Sequence, residues 1–261
     1  MSEKINTPIN NNVFYNPRYV EGTAENTETL ERFSSGLREL KQANPEILGA
    51  TVFGSRLKGE GTAKSDVDCT VLIDADALEG HGIAIEVSET GILEWGENKD
   101  LKHDFEAHFG KVLADKTDKA ENTLMGGIYV QPLSDKLIKT QLNKYLAYLD
   151  SVDHYRSAKE QWLESDSATQ PPEMPETVVI TGGIPALFGP DLIDGLGEYR
   201  KTVIDTLSQA GSHGEEAWQT ILHGVEFGEG HRSIEDQTAY PLTLEQARQW
   251  YGMKNVEEVS V

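Results

Sequence analysis

The sequence has few of the features that would place it outside the cell or in a membrane. It contains one cysteine, Cys69, in 261 residues, so it cannot form a disulfide within one chain. Nowhere do about 18 apolar residues run together, as a membrane-spanning helix requires. Residues 1–12 are polar and lack the apolar core of a signal peptide. We therefore expect a cytoplasmic protein with no membrane partner.

Basic residues are also scarce. The chain has 23 lysines and arginines against 44 acidic residues, which gives a formal net charge of −21. Phosphate backbones and anionic membranes are recruited mainly by basic surface. The composition therefore disfavours nucleic acid as a partner and favours a small molecule, most easily a cationic one or one bridged through a metal ion.

Three common catalytic motifs are missing from the sequence. There is no GxxxxGK[ST] loop and no GxGxxG after a predicted strand, so the P-loop and dinucleotide-binding classes are excluded. There is no GxSxG either, which argues against a serine hydrolase of the nucleophile-elbow type.

Hydrophobic periodicity predicts both helices and strands in the first two thirds of the chain. Apolar residues three to four apart indicate helices, and alternating apolar residues indicate strands. The predicted helices are 25–42, 99–114, 137–149 with Ser134 as its cap, and 152–163. The predicted strands are 47–53, 66–74 and 127–133, with a weaker one at 83–87.

Composition divides the chain into four parts. Residues 1–24 are rich in asparagine and predict a flexible arm, and residues 25–165 hold the helices and strands above. Residues 166–177 are rich in proline and small polar residues, which is typical of a linker. Residues 178–261 predict a mostly helical domain, with a short strand at 178–181, a helix that begins near Pro190 and a capping box before the last helix.

Two aspartates on one predicted strand carry the most specific signal. Asp66 and Asp68 are two residues apart, so their side chains project from the same face with α-carbons about 6.5 Å apart. Two ionised carboxylates beside a core are costly unless a cation lies between them. Mg²⁺ prefers such oxygen ligands and leaves positions open for water and phosphate. The pair therefore predicts a site for Mg²⁺ or Mn²⁺.

The loop before this pair has the composition of a phosphate site. Gly54 lets the backbone approach a phosphate closely, and Ser55 adds a hydroxyl and amide donors. The only lysines and arginines in residues 43–98 lie in this loop, where they would face a triphosphate: Arg56, Lys58 and Lys64.

Together these residues resemble the hallmark of the nucleotidyltransferase superfamily, typified by DNA polymerase β and by kanamycin and streptomycin adenylyltransferases. Its members carry a Gly-Ser pair after one strand and an Asp-x-Asp pair on the next, about ten residues later. Gly54, Ser55, Asp66 and Asp68 match this pattern, and Ser65 is typical of the small-molecule and minimal members. The close match covers only residues 53–73 and a few neighbours.

The resemblance implies an α+β fold, in which a small mixed sheet flanked by helices precedes the mostly helical C-terminal region. A nucleoside triphosphate, foremost ATP, would bind through Gly54, Ser55, Arg56, Lys64 and Ser65, with the divalent metal on the aspartates. A hydroxyl of an acceptor, preferably a small molecule, would take the nucleoside monophosphate and release pyrophosphate.

The sequence departs from the family pattern at the third carboxylate. Family members commonly carry this acid on a later strand, but residues 127–133 contain none. Glu86, between Ile85 and Val87, is the remaining candidate for a catalytic acid. The missing acid leaves two alternatives open. The domain binds nucleotide or a partner without transfer, or it modifies a protein partner as minimal transferases paired with toxins do.

Overall fold

The computed structural model describes most of the chain between Ala24 and Gly252. The described residues are 24–53, 67–96, 99–117, 127–165, 170–189, 191–226 and 243–252. Their helices are α1 (Ala24–Ala43), α2 (Ala75–Gly80), α3 (Lys99–Thr117), α4 (Asp135–Glu164), α5 (Gly183–Leu187), α6 (Gly197–Ser208), α7 (Ser212–Glu226) and α8 (Leu244–Gly252). Their strands are β1 (Ile47–Val52), β2 (Cys69–Asp74), β3 (Glu86–Val87), β4 (Leu93–Glu94), β5 (Ile128–Leu133) and β6 (Asp191–Ile193).

Four of these strands form one mixed sheet in the order β5-β2-β1-β6. The pairs β1–β2 and β1–β6 are antiparallel, whereas β2 and β5 are parallel. Thr51 of β1 lies opposite Thr70 of β2, which in turn lies beside Tyr129 of β5. The small mixed sheet and the α+β class are therefore confirmed, and the C-terminal part of the chain contributes the edge strand β6.

The alternation of β2 separates the two faces of the sheet, as its sequence predicts. Val67, Cys69, Val71 and Ile73 are fully buried, because they belong to the core that α1 and α3 cover. These helices bring their own apolar stripes into that core: Phe33, Leu37 and Leu40 from α1, and Phe109 and Leu113 from α3.

The opposite face of the sheet packs against α4 and the C-terminal helices. Leu72 and Leu133 belong to this second core. At its centre Phe188 meets Trp218 edge to face, with the ring centroids 4.9 Å apart. The sheet is thus the middle layer of the molecule. None of the described helices is both long and apolar enough to cross a membrane.

Residues 135–164 form one helix, α4, so the predicted break near Ser151 is wrong. No glycine or proline occurs in this stretch, and the Ser151 hydroxyl donates to the carbonyl of Ala147 at 2.8 Å. A serine hydroxyl that donates to the carbonyl four residues earlier is compatible with an uninterrupted helix. The predicted cap is confirmed, because the Ser134 hydroxyl accepts from the amide of Leu137 at 3.3 Å.

Two predictions for the C-terminal region are wrong. Residues 178–181 are not a strand, although the amide of Val179 donates to the carbonyl of Thr90 at 2.9 Å. The helix expected to begin near Pro190 begins at Gly197, because residues 191–193 pair with β1 as strand β6. A strand of three residues is too short to show a period in the sequence.

One other prediction for this region, the capping box, is confirmed, whereas the linker stays a prediction. Residues 170–177 of the predicted linker contain no helix or strand. The capping box of α8 is present, with Gln246 N donating to the Thr243 hydroxyl at 3.2 Å and Thr243 N donating to the Gln246 side chain at 3.1 Å. The domain boundaries themselves stay a prediction, as does the arm, which lies almost wholly outside the described residues.

Candidate functional site

Asp68 lies directly before β2, at the end of the sheet where β1 finishes and β5 begins. Its carbonyl accepts from the amide of Phe53 at 2.9 Å, and the next residue, Cys69, donates to the carbonyl of Gly127 at 2.7 Å. Asp68 is half-buried. It belongs to the face of β2 that carries Thr70, opposite the core of α1 and α3. The structure therefore puts this predicted metal ligand directly before the start of β2.

Most of the predicted motif lies outside the described residues. These are Gly54, Ser55, Arg56, Lys64, Ser65 and Asp66. The chain enters this segment after Phe53 and leaves it before Val67, and these two flanking residues border Asp68. The predicted roles of the segment therefore stay predictions, while its attachment to the Asp68 end of the sheet follows from the paired strands.

Gly127 is a functional candidate that the sequence did not indicate. A Cβ at this position would lie 2.9 Å from the carbonyl oxygen of Val67 and 3.1 Å from Oδ1 of Asp68. The absence of a side chain therefore lets β5 approach the carboxylate closely. No local pattern reveals this, because the contact depends on the parallel pairing of β2 with β5.

Replacing Gly127 by alanine is expected to lower any catalytic activity that uses the Asp68 carboxylate about 10- to 100-fold, because the added methyl group would displace this carboxylate by a fraction of an ångström or more. Steady-state kinetics measure this loss. Gly80→Ala is the matched control, since a Cβ at Gly80 has no atom within 4 Å. Equal activity of the Gly127 variant and wild type would show that the activity does not depend on the close approach of Gly127 to the Asp68 carboxylate.

Cys69 lies next to Asp68 but takes no part in chemistry. Burial raises the pKa of its thiol well above the usual range, and the Asp68 charge raises it further. The thiol stays protonated near neutral pH, and a protonated thiol is a poor nucleophile and metal ligand.

The strand expected to carry a third carboxylate is β5. It pairs with β2 in parallel, and residues Tyr129 and Gln131 stand beside Thr70 and Leu72. No acid occurs on β5. Within the described residues, no group of three or more histidine, cysteine, aspartate or glutamate side chains is arranged to hold a metal ion.

Glu86, the other predicted acid, is exposed on β3 and pairs with Glu94 of β4. A hydrogen bond to Glu79 raises the pKa of Lys136 most, and the charges of Glu79, Asp76 and Glu86 add to the rise. Glu86 belongs to a two-stranded sheet that is separate from the one containing β2, and its catalytic role stays a prediction.

A cavity of about 370 Å³ opens on the Asp68 face of the sheet. Its sheet wall consists of Thr51, Phe53, Thr70, Tyr129 and Gln131, and its other wall consists of residues from the segment 180–189 and from α7. Asp68 does not line the cavity, but its strand neighbours Phe53 and Thr70 do. A pocket of this size between two packed layers is typical of a small-molecule site.

An aromatic pair lies at the Asp68 end of this cavity. The rings of Phe53 and Tyr129 are 5.7 Å apart between centroids and tilted by 48°, a favourable arrangement for two aromatic rings. Tyr129 is 42% exposed, which is unusual for a large side chain in the middle layer of the molecule. Its exposed ring is therefore open to contact with a ligand.

The central sheet thus carries an aspartate directly before β2 and a cavity of ligand size on the same face. Residues 33–129 match the family model described as the nucleotidyltransferase domain. The match begins in α1, spans β1, the Gly-Ser and Asp-x-Asp residues and β2, and ends in β5. The chain therefore contains a region that is similar to nucleotidyltransferase domains. No curated protein and no solved structure matches the chain significantly.

Proposed function

We propose that the protein transfers a nucleoside monophosphate from a nucleoside triphosphate, foremost ATP, to a hydroxyl of a small-molecule acceptor. The family match supports nucleotidyl transfer in general. The position of Asp68 carries the finer proposal, because this half-buried carboxylate lies directly before β2, next to residues that line a cavity of ligand size.

Asp66 and Asp68 would hold Mg²⁺ or Mn²⁺. The donor chemistry fits, since carboxylate oxygens are preferred ligands of these ions, and Asp68 is half-buried with the bare backbone of Gly127 beside it. When bound, the ion neutralises charge on the phosphates and polarises the phosphoryl oxygen. Gly54, Ser55, Arg56, Lys64 and Ser65 would bind the triphosphate and orient it toward the aspartates.

In the proposed reaction the acceptor oxygen attacks the α-phosphorus. A new oxygen–phosphorus bond forms, the bond between the α-phosphorus and the bridging oxygen breaks, and pyrophosphate leaves. The hydroxyl proton passes to water, because β5 supplies no carboxylate to take it. Glu86, which is exposed on β3, stays a candidate base.

A second candidate function is nucleotide binding without transfer. The absence of an acid on β5 favours it, because the family commonly uses that acid for the metal or the acceptor hydroxyl. The two functions differ in one product, since only transfer releases pyrophosphate.

The test is incubation of the purified full chain with Mg²⁺, a cell extract and each of four nucleoside triphosphates labelled on the α-phosphate. Label on a small molecule, with equal pyrophosphate, is the expected result. Label on a protein would replace the acceptor class by a protein partner. Nucleotide binding without pyrophosphate release would establish the second candidate, and transfer that persists after removal of all divalent ions would contradict the metal-dependent mechanism.

A further inference from the structure

The cavity on the Asp68 face is uncharged within the described part of the chain. Its described lining consists of glycine, apolar, threonine, aromatic and glutamine residues, without any lysine, arginine, aspartate or glutamate. A polycationic ligand that enters such a space loses its hydration and gains no opposite charge. The expectation of a cationic acceptor, drawn from the net charge of the whole chain, therefore finds no support in this cavity.

One side chain of the lining offers directed hydrogen bonds to a ligand. The Gln131 amide has two donors and an acceptor, and among the described residues it makes no hydrogen bond. The Gln131 amide lies close to Gly182. A Cβ added at Gly182 would lie only 2.8 Å from Oε1 of Gln131. Gly182 has φ of 68°, a conformation that favours glycine, so the amide packs against bare backbone at the cavity wall.

The remaining lining favours a flat ring. Tyr129 and Phe53 supply aromatic surface, and Gly189 and Gly224 line the cavity without side chains. Such surfaces bind planar groups by stacking and close contact, whereas an amide fixes the orientation of a hydrogen-bonding edge.

From these features we infer that the cavity binds an uncharged, ring-bearing group whose polar edge hydrogen-bonds to Gln131. The inference rests on the proposed function, because that function makes the ligand either the nucleobase of the triphosphate or the ring of a neutral acceptor. Gln131 is then a specificity-determining residue of this site.

Ligand-observed NMR with two sets of probes tests this inference on the full chain without relying on turnover. The neutral probes are adenosine, guanosine, cytidine, uridine and glucose, and the cationic probes are kanamycin and streptomycin. Ala186→Leu fills the cavity, since Ala186 lines it, and Ala158→Leu at an exposed position of α4 is the matched control. Thermal unfolding checks that each variant folds.

At least one neutral probe is expected to bind wild type and Ala158→Leu equally, and to bind Ala186→Leu about tenfold more weakly, because the added methyl groups occupy its space. Gln131→Glu provides a second test that does not change the volume of the cavity. It is expected to weaken the binding of the same probe, because the carboxylate lacks the two donors of the amide.

Triphosphate binding distinguishes the two sources of the ring. If the ring is the nucleobase, Ala186→Leu weakens the binding of ATP, GTP, CTP or UTP, and Gln131→Leu changes the order of their affinities. If the ring belongs to the acceptor, triphosphate affinity stays within about twofold, and only the neutral probe and the KM for a neutral acceptor respond.

Two outcomes would overturn the inference. In the first, Ala186→Leu weakens the binding of none of the neutral probes. In the second, kanamycin or streptomycin binds wild type and Ala186→Leu weakens that binding, as it would for a cationic ligand of the cavity. Failure of the proposed function is a separate result, namely wild-type protein that releases no pyrophosphate with any acceptor, and it leaves the probe-binding measurements fully interpretable.

Discussion

Replacing Asp68 by asparagine is expected to lower nucleotidyl transfer by on the order of 10³-fold, with little change in stability. The amide keeps the size of the side chain but removes the negative charge that a divalent metal ion requires, and such an ion supplies several kcal/mol of transition-state stabilisation. Asp68 is half-buried at the end of a strand, so the substitution leaves the core unchanged. Pyrophosphate release at saturating triphosphate measures the loss.

A matched control comes from Asp104→Asn, an exposed change on α3, which is expected to keep wild-type turnover. Isothermal calorimetry with Mn²⁺ and a nonhydrolysable triphosphate adds a second measurement, in which the Asp68 variant should lose metal binding. An Asp68→Asn protein with near-normal turnover would remove the carboxylate from the mechanism. Glu86→Gln, measured beside it, decides whether the second predicted acid takes part.

The sheet beneath the site was largely predictable because its strands carry local patterns. The alternation of Val67, Cys69, Val71 and Ile73 gave both the strand and its buried face. Asp68 falls on the opposite face by the same alternation. The position of this carboxylate therefore follows from the period of a strand alone, and so does its separation from the core.

The elements that complete the site could not be predicted in this way. Strand β6 has three residues, and its partner β1 lies far away in the sequence. The fit of Gly127 against Asp68 depends on which strands pair and in which register. The cavity unites Thr51 with Gly224, two positions that no local period relates. Sequence patterns report burial within one element, whereas these features arise from contacts between elements.

The net charge also failed to predict the character of the cavity. The charge of −21 belongs to the chain as a whole, while the described lining of the cavity carries no charge. Charged side chains are almost never fully buried unless paired, so overall charge describes the surface and says little about a cavity between two layers.

Replacing Asp191 by alanine is expected to lower the free energy of unfolding by about 3 to 5 kcal/mol, because it leaves a buried arginine without its partner. Asp191 on β6 and Arg200 on α6 form a buried ion pair, with side chains only 6% and 7% exposed. Nη1 of Arg200 donates to Asp191 at 2.8 Å, and a second nitrogen bonds the other carboxylate oxygen. Urea denaturation of the variant and of the exposed control Asp205→Ala measures the difference.

The same pair links stability to the cavity. Arg200 also donates from Nε to the carbonyl of Leu187 at 2.5 Å and from Nη2 to that of Gly189 at 3.4 Å, and Gly189 lines the cavity. An unpaired Arg200 would therefore release the cavity wall as well as β6. A double variant, Asp191→Leu with Arg200→Met, is expected to recover much of the lost stability, since apolar residues often replace a buried pair at little cost. A single variant as stable as wild type would show that the pair contributes nothing to the fold.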